Sequence, residues 1–292
     1  GANMKKTKSR IVFEWINYIV LFFVAILCLY PIIYVVFASV SRSSLLMQHS
    51  GLLLKPLDFN LDSYLSVFRT DKIISGYKNT MTILIIGVSL NMFLTICAAY
   101  FFTRKDIMLQ KLLMFLIIVT MFFSGGLIPV YLNVCEIGID NTLWAVILPS
   151  AVSTFNLIIL KNAFASIPDE LEEAAMIDGA NDLTVLFKII VPVSKASLAV
   201  ILLYYLVGHW NAWFNAMIFL RDDNLHPLQL VMRDILLANQ TDSMLGSGVD
   251  AEGVSETIKY AVICVSTIPV LIVYPFLQKY FVGGVMVGAV KG

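Results

Sequence analysis

Apolar residues run through this chain in six long blocks, broken by shorter polar stretches. A helix needs about 20 apolar residues to cross the hydrocarbon core of a bilayer. The blocks near Trp15–Val40, Thr80–Phe102, Lys111–Leu132, Thr142–Phe164, Ala196–Leu220 and Ile258–Phe281 reach that length. They are too long and too uniformly apolar for the alternating strands of a barrel, so helices are the expected spanning element. The pattern predicts an all-α polytopic membrane protein with six transmembrane helices, folded as a single transmembrane domain over residues 1–292. The leading Gly1-Ala2-Asn3 before Met4 reads as a cloning scar and carries no fold information.

Composition supports this pattern. The chain is 59% hydrophobic and only 14% charged, too little charge to cover a soluble surface, and its net charge of zero, with no basic run, argues against nucleic acid. Cys28, Cys97, Cys135 and Cys264 form no C-x-x-C pair, and three of them sit in apolar runs. They read as small buried hydrophobes rather than a disulfide framework. His49, His209 and His226 are scattered, which disfavours a zinc site.

Lys5, Lys6, Lys8 and Arg10 precede the first block as they would a signal peptide, but the block is too long for a signal h-region and lacks an A-x-A site, so a retained anchor is expected. Lys and Arg bias sets the orientation. With the N-terminus inside, twelve Lys and Arg fall on inner segments and eight on outer ones, most of the eight in the long loops Ser41–Asn79 and Arg221–Thr257. Both termini are therefore expected to be cytoplasmic. The outer loops mix aromatics, acids and amides. They read either as plain connections or as packed caps that an external partner could land on.

The segment after the fourth block departs from its surroundings. Ser166 to Asp182 is a polar island that runs on to Lys188-Ile-Ile-Val-Pro192. Ser166 and Asp169 are spaced like a capping box, and Pro168 suits a first helical turn. Asp169, Glu170, Glu172 and Glu173 place negative charge at a helix N-terminus, where the macrodipole favours it. Leu171, Ala174 and Ala175 begin a helical stripe that Asp178 ends with a charge. Gly179 fits the position just past a helix end, Asn181 or Asp182 can cap a second short helix, and Pro192 stops it. A helix–turn–helix on the cytoplasmic face is expected, between the fourth and fifth spans. A solvated loop would share some of these signals, since caps mark a helix and not a partner.

These residues also carry a family resemblance. Glu173-Ala174-Ala175, three residues, Gly179, nine residues, Ile189, one residue and Val191-Pro192 match the EAA motif E-A-A-x-x-x-G-x(9)-I-x-L-P of ABC-importer permeases, with Val191 where Leu is usual. The chain resembles the carbohydrate class, which includes the smaller six-span permease of maltose-type transporters. Phe122–Pro129, Asn141–Trp144, Trp210–Phe214 and the ending Lys279–Gly284 through Gly288–Gly292 are similar to members that serve complex oligosaccharides. The resemblance implies that residues 166–192 form a coupling helix seated in a cytoplasmic ATPase subunit, through Glu173, Ala174, Ala175, Asp178, Gly179, Ile189 and Pro192. It further implies a second homologous permease as heterodimer partner, an extracytoplasmic solute-binding protein, a carbohydrate substrate and a bacterial cytoplasmic membrane location.

No G-x-x-x-x-G-K-[ST] phosphate loop is present. Gly283 and Gly288 have the glycine spacing, but Ala289-Val290 follow. The chain is thus expected to be no enzyme and to hold no cofactor, with ATP and Mg bound by the partner ATPase. A solute path needs polar or small groups within the spans. The fifth block offers Tyr204, Tyr205, His209, Trp210, Asn211, Trp213 and Asn215, and the third offers Ser124 beside Gly125, Gly126 and Pro129. Aromatic faces stack on sugar rings and amides bond hydroxyls. Trp210 and Trp213 also fit a membrane-edge or core role, and His209 fits a packed, hydrogen-bonded role better than a proton relay. The glycine-rich break in the third block reads as a gate or a kink. The rival reading, an ion-gradient-driven transporter or channel, calls for acids deep in the spans. The central parts of the blocks hold almost none.

Overall fold

The computed structural model describes residues 8–104, 107–245, 257–273 and 275. All regular structure among them is helical. In chain order the helices are α1 (Lys8–Ser39), α2 (Ser43–Gln48), α3 (Asp62–Arg69), α4 (Asp71–Phe101), α5 (Gln110–Phe122), α6 (Leu127–Glu136), α7 (Trp144–Ser150), α8 (Thr154–Ala165), α9 (Asp169–Ile177), α10 (Asp182–Val193), α11 (Lys195–Asn211), α12 (Phe214–Phe219), α13 (Leu228–Leu245) and α14 (Thr257–Val273). Gly1-Ala2-Asn3, Lys5, Lys6, Lys105 and the glycine-rich stretch 279–292 lie outside the described residues.

The apolar blocks are helical, but several are not single rods. α1 and α4 each carry a 31-residue apolar stretch, Ser9–Ser39 and Asp71–Phe101, long enough to cross a bilayer unbroken. The block expected at Lys111–Leu132 is instead α5 and α6, bent by 116°. Its break falls at Phe123–Gly126, where Gly126 takes φ +87, a left-handed conformation that glycine adopts without a Cβ penalty. The block at Thr142–Phe164 bends by 50° between α7 and α8. The block at Ala196–Leu220 ends at Asn211, and α12 follows as a separate piece. The second span begins at Asp71 rather than Thr80. Of the sixth, α14 describes Thr257–Val273.

The described helices group into two compact units. One comprises residues up to Thr70 together with Ile235–Ser266. The apolar window of α1 has none of its residues buried, so the helix presents apolar side chains all round, as lipid or another apolar surface requires. Ala38, Leu46 and Leu53 form a small core at the foot of α1, with Tyr34 edge-on to Tyr260 at 5.8 Å. Ser41 Oγ accepts from Leu57 N at 2.9 Å, and Ser63 Oγ donates to Thr257 Oγ1 at 2.8 Å. The first part of the expected outer loop is therefore a packed cap.

The other unit comprises Asp71–Asp234 and Thr267 onward. α4 packs along α8 and α11 over a core that includes Val88, Ala99, Leu157, Leu160, Leu186, Ile190 and Ile201. Asn79 Nδ2 donates to the carbonyls of Asn224 and His226, at 2.6 and 3.1 Å, and Thr80 Oγ1 accepts from Leu228 N at 2.9 Å. These bonds order the turn leading into α13, so the second expected loop, Arg221–Thr257, is helical over Leu228–Leu245. Asn141, at φ +55, accepts from the amides of Arg221 and Asp222 at 2.8 and 2.9 Å and braces the same turn.

Candidate functional site

The polar island is built as two short helices around a tight turn. α9 opens on Pro168 at its N-cap, with Asp169, Glu170 and Glu172 in its first turn. The expected capping box is absent. Ser166 Oγ donates back to Ala163 O at 2.7 Å and closes α8 instead, because Pro168 holds the chain extended (ψ 132) and starts the next helix after it. At the far end the prediction holds in detail. Gly179 sits at φ +86, its N–H donates to Met176 O at 3.0 Å, and Ala180 N donates to Ala175 O at 2.9 Å. That pair of bonds is a Schellman ending. Asn181, rather than Asp182, caps α10, its Oδ1 accepting from Thr184 N at 2.8 Å.

The stripe of Leu171, Ala174 and Ala175 divides on folding. Ala175 packs against the core, while Leu171, Ala174, Glu173, Asp178 and Ile177 stay exposed, Ile177 at 85%. α9 thus buries none of its residues. Ile189 lies half-buried in a π turn, Leu186–Ile190, and Pro192 is exposed in the last turn of α10, just before the chain bends by 87° into α11.

The second polar place is a cavity of ≈ 420 Å³, within the size range of small-molecule sites. α11 contributes Tyr204, Tyr205, Gly208 and His209, and beyond it Ala212 and Asn215 complete that side. The break between α7 and α8 contributes Ser150, Ser153, Phe155 and Asn156, with Val146 behind them. Hydroxyls, amides and rings line it, with the Phe155 and Tyr204 rings 6.0 Å apart and tilted by 52°.

Four of the eight path residues expected from sequence therefore converge: Tyr204, Tyr205, His209 and Asn215. Trp210 is buried beside a separate apolar recess with Met81, Leu84 and Pro269. Asn211 is exposed and donates to Val207 O at 2.9 Å. Trp213 lies under the Arg233 guanidinium, 4.8 Å from its centre. Ser124 is exposed in the break before α6, accepting from Gly126 N at 3.2 Å. Sequence reasoning missed Ser150, Ser153 and Asn156. The signal for them was Pro149 followed by two serines inside an apolar block.

A buried polar network holds this wall. A helix that breaks inside an apolar layer leaves carbonyls and amides that must find partners. Asn91, on α4 and fully buried, donates through Nδ2 to Ser150 O and Ala151 O, at 2.7 and 3.0 Å. Ser153 N donates to the Tyr205 hydroxyl at 3.0 Å, and that hydroxyl pairs with Thr95 Oγ1 at 2.7 Å. Because carbonyls only accept, the Asn91 amide nitrogen is committed to them and its Oδ1 faces His209 Nε2, 3.0 Å away. His209 must then carry its proton on Nε2. A π turn at Leu84–Val88 brings Gly87 onto the same imidazole, where a Cβ would stand 3.2 Å from Nε2.

Comparison with known proteins extends this picture. A scan against protein-family models matches none. The polygalacturonan/rhamnogalacturonan transport system permease protein YtcP of Bacillus subtilis (strain 168) is 42% identical over 289 residues, covering 98% of this chain and 100% of that one. A chain from the crystal structure of a bacterial ABC transporter involved in the import of the acidic polysaccharide alginate superposes with a TM-score of 0.87 at 32% identity, over 95% of this chain and 99% of that one. A chain from a bacterial alginate ABC transporter, in complex with an alginate pentasaccharide-bound periplasmic protein, shares the fold at a TM-score of 0.60 and 17% identity, covering 94% of this chain and 96% of that one.

Proposed function

The chain belongs to the permease subunits of ABC sugar importers and is not itself an enzyme, and on that footing we propose that it passes an oligosaccharide through the cytoplasmic membrane under the drive of a separate ATPase. The relatives' named cargoes are saccharide chains, which supports an oligosaccharide here. The cavity's hydroxyls, amides and aromatic pair suit sugar hydroxyls and ring faces. An extracytoplasmic binding protein delivers the sugar, as a periplasmic protein accompanies one fold neighbour.

The observation that carries the coupling part of the reading is α9 itself. It is short, acidic at its start and closed by a Schellman turn, and it exposes Leu171, Glu173, Ala174 and Ile177 together. A soluble surface with apolar and acidic groups side by side, on a chain built for lipid, suits a docked cytoplasmic subunit. In this reading residues 166–192 are the coupling segment, ATP and Mg belong to the ATPase, a second homologous permease completes the path, the chain crosses the membrane six times and both termini are cytoplasmic.

Affinity purification of the tagged chain from native membranes tests it. The expected result is co-purified ATPase and second permease with Mg·ATP hydrolysis, and joint loss of ATPase binding and uptake in Glu173→Lys and Gly179→Asp. If assembly and uptake survive both substitutions, α9 is not the coupling element. Ion-gradient-driven uptake by this chain alone would instead make it a secondary transporter.

A further inference from the structure

No residue of α9 is fully buried, and Ala175 is its one apolar contact with the core, so little packing holds it to the helices beside it. One residue does so from outside the motif. Arg104 follows the C-terminal end of α4, and its side chain is only 21% exposed. Its Nη1 lies 2.8 Å from Glu172 Oε2 on α9, and its Nη2 lies 3.2 Å from Asp182 Oδ1 at the start of α10. The first contact is direct and short. The second is a contact of charges rather than an aligned hydrogen bond. The guanidinium also sits 4.2 Å from the centre of the Tyr100 ring, whose hydroxyl is 3.5 Å from the same Asp182 oxygen. A single planar fork therefore touches both helices on either side of the Gly179 turn and stacks on the helix that precedes it.

α4 connects two places. Its last turn carries Tyr100, on which the fork lies, and its middle carries Asn91 and Gly87, which meet His209 in the cavity wall. From Asn91 to Phe101, where α4 ends three residues before Arg104, is about 15 Å along a helix rising 1.5 Å per residue. We propose that Arg104 is a positioning residue for coupling: its fork fixes the angle between α9 and α10 and ties both to α4, so that displacement of the motif segment reaches the cavity through α4. Lysine cannot replace it, because an ammonium is a point charge that cannot spread over both carboxylates or lie flat on Tyr100 as a planar guanidinium does. The inference rests on the proposed ATP-driven reading.

The test uses the purified complex with its ATPase and needs no sugar. Gly208→Cys places a thiol in the cavity wall, where a Cβ meets nothing within 4 Å. Its labelling by a methanethiosulfonate reagent is read by peptide mass spectrometry, without nucleotide and after trapping with Mg·ATP and vanadate. A response of at least fivefold is expected with Arg104 intact. Its absence there overturns the ATP-coupled reading itself, whatever Arg104 does. In Arg104→Lys and Arg104→Gln the ATPase should stay bound and basal hydrolysis should stay within twofold, while the labelling response falls below twofold. Adding Glu172→Gln to Arg104→Gln should cost nothing more. A retained fivefold response in either variant, or loss of the ATPase from the complex in Arg104→Lys, overturns the proposal. The lysine variant decides if the glutamine variant does not fold.

Discussion

Asn91→Leu should destabilise the protein by far more than its change in volume suggests. The side chain is fully buried and makes three polar contacts, to Ser150 O, Ala151 O and His209 Nε2. Hydrogen bonds between helices in membrane proteins contribute about 0.6 kcal/mol on average and at most about 1.7. Three of them set a loss of roughly 2–5 kcal/mol. The upper half of that range applies if the two carbonyls at the break between α7 and α8 find no water. The assay is reversible unfolding of the purified protein by added SDS, followed by tryptophan fluorescence. A double-mutant cycle of Asn91→Ala with His209→Ala isolates one contact, with an expected coupling of about 0.6–1.7 kcal/mol. A loss in Asn91→Leu below about 0.5 kcal/mol would refute the reasoning, since that is less than one average interhelical bond.

Two further outcomes follow from the same geometry. On the proposed reading, Gly208→Phe fills open space in the cavity wall, so the complex should assemble normally and its ATPase subunit should hydrolyse ATP while sugar uptake falls at least tenfold, measured in proteoliposomes with the cognate binding protein. Wild-type uptake in that variant would place the path elsewhere. Asp223 accepts from Lys72 Nζ at 2.6 Å, and that hydrogen bond, with the lysine charge, holds its carboxyl below the usual carboxylate range. A depressed folded pKa gives stability that is present above the ordinary value of about 4 and lost as pH falls through the folded value. Asp223→Asn should therefore melt slightly below wild type at pH 7, and the two should converge at strongly acid pH. A difference that persists there would show that the pair is not its source.

Much of this protein was legible in its residues because the relevant interactions are local. A long apolar run forms helix wherever it lies, and the positive φ at Gly179, the Asn181 cap and the crowd of acids at the start of α9 depend on neighbours within one or two turns. The spacing from Glu173 to Pro192 identified the family for the same reason. Ser166 misled because Pro168, two residues on, competes for the same helix start. The cavity was half legible: Tyr204, Tyr205, His209 and Asn215 stood out as polar groups in an apolar block, but so did Trp210, Asn211 and Trp213, which point elsewhere. Period and polarity tell which residues a span must shelter, not which neighbour shelters them. That choice was made by tertiary contacts. Asn91 satisfies a break some 60 residues further on, Gly87 yields space to an imidazole on α11, and Arg104 reaches across the Gly179 turn to two carboxylates at once. The sequence by itself determined the lipid-built helices and the capped polar segment, because backbone hydrogen bonding and burial of apolar runs act along the chain. Only the tertiary structure decided where the apolar blocks break, which polar groups share a cavity and which cation meets the carboxylates of α9 and α10, because polar groups in an apolar layer are satisfied by whatever element packs beside them.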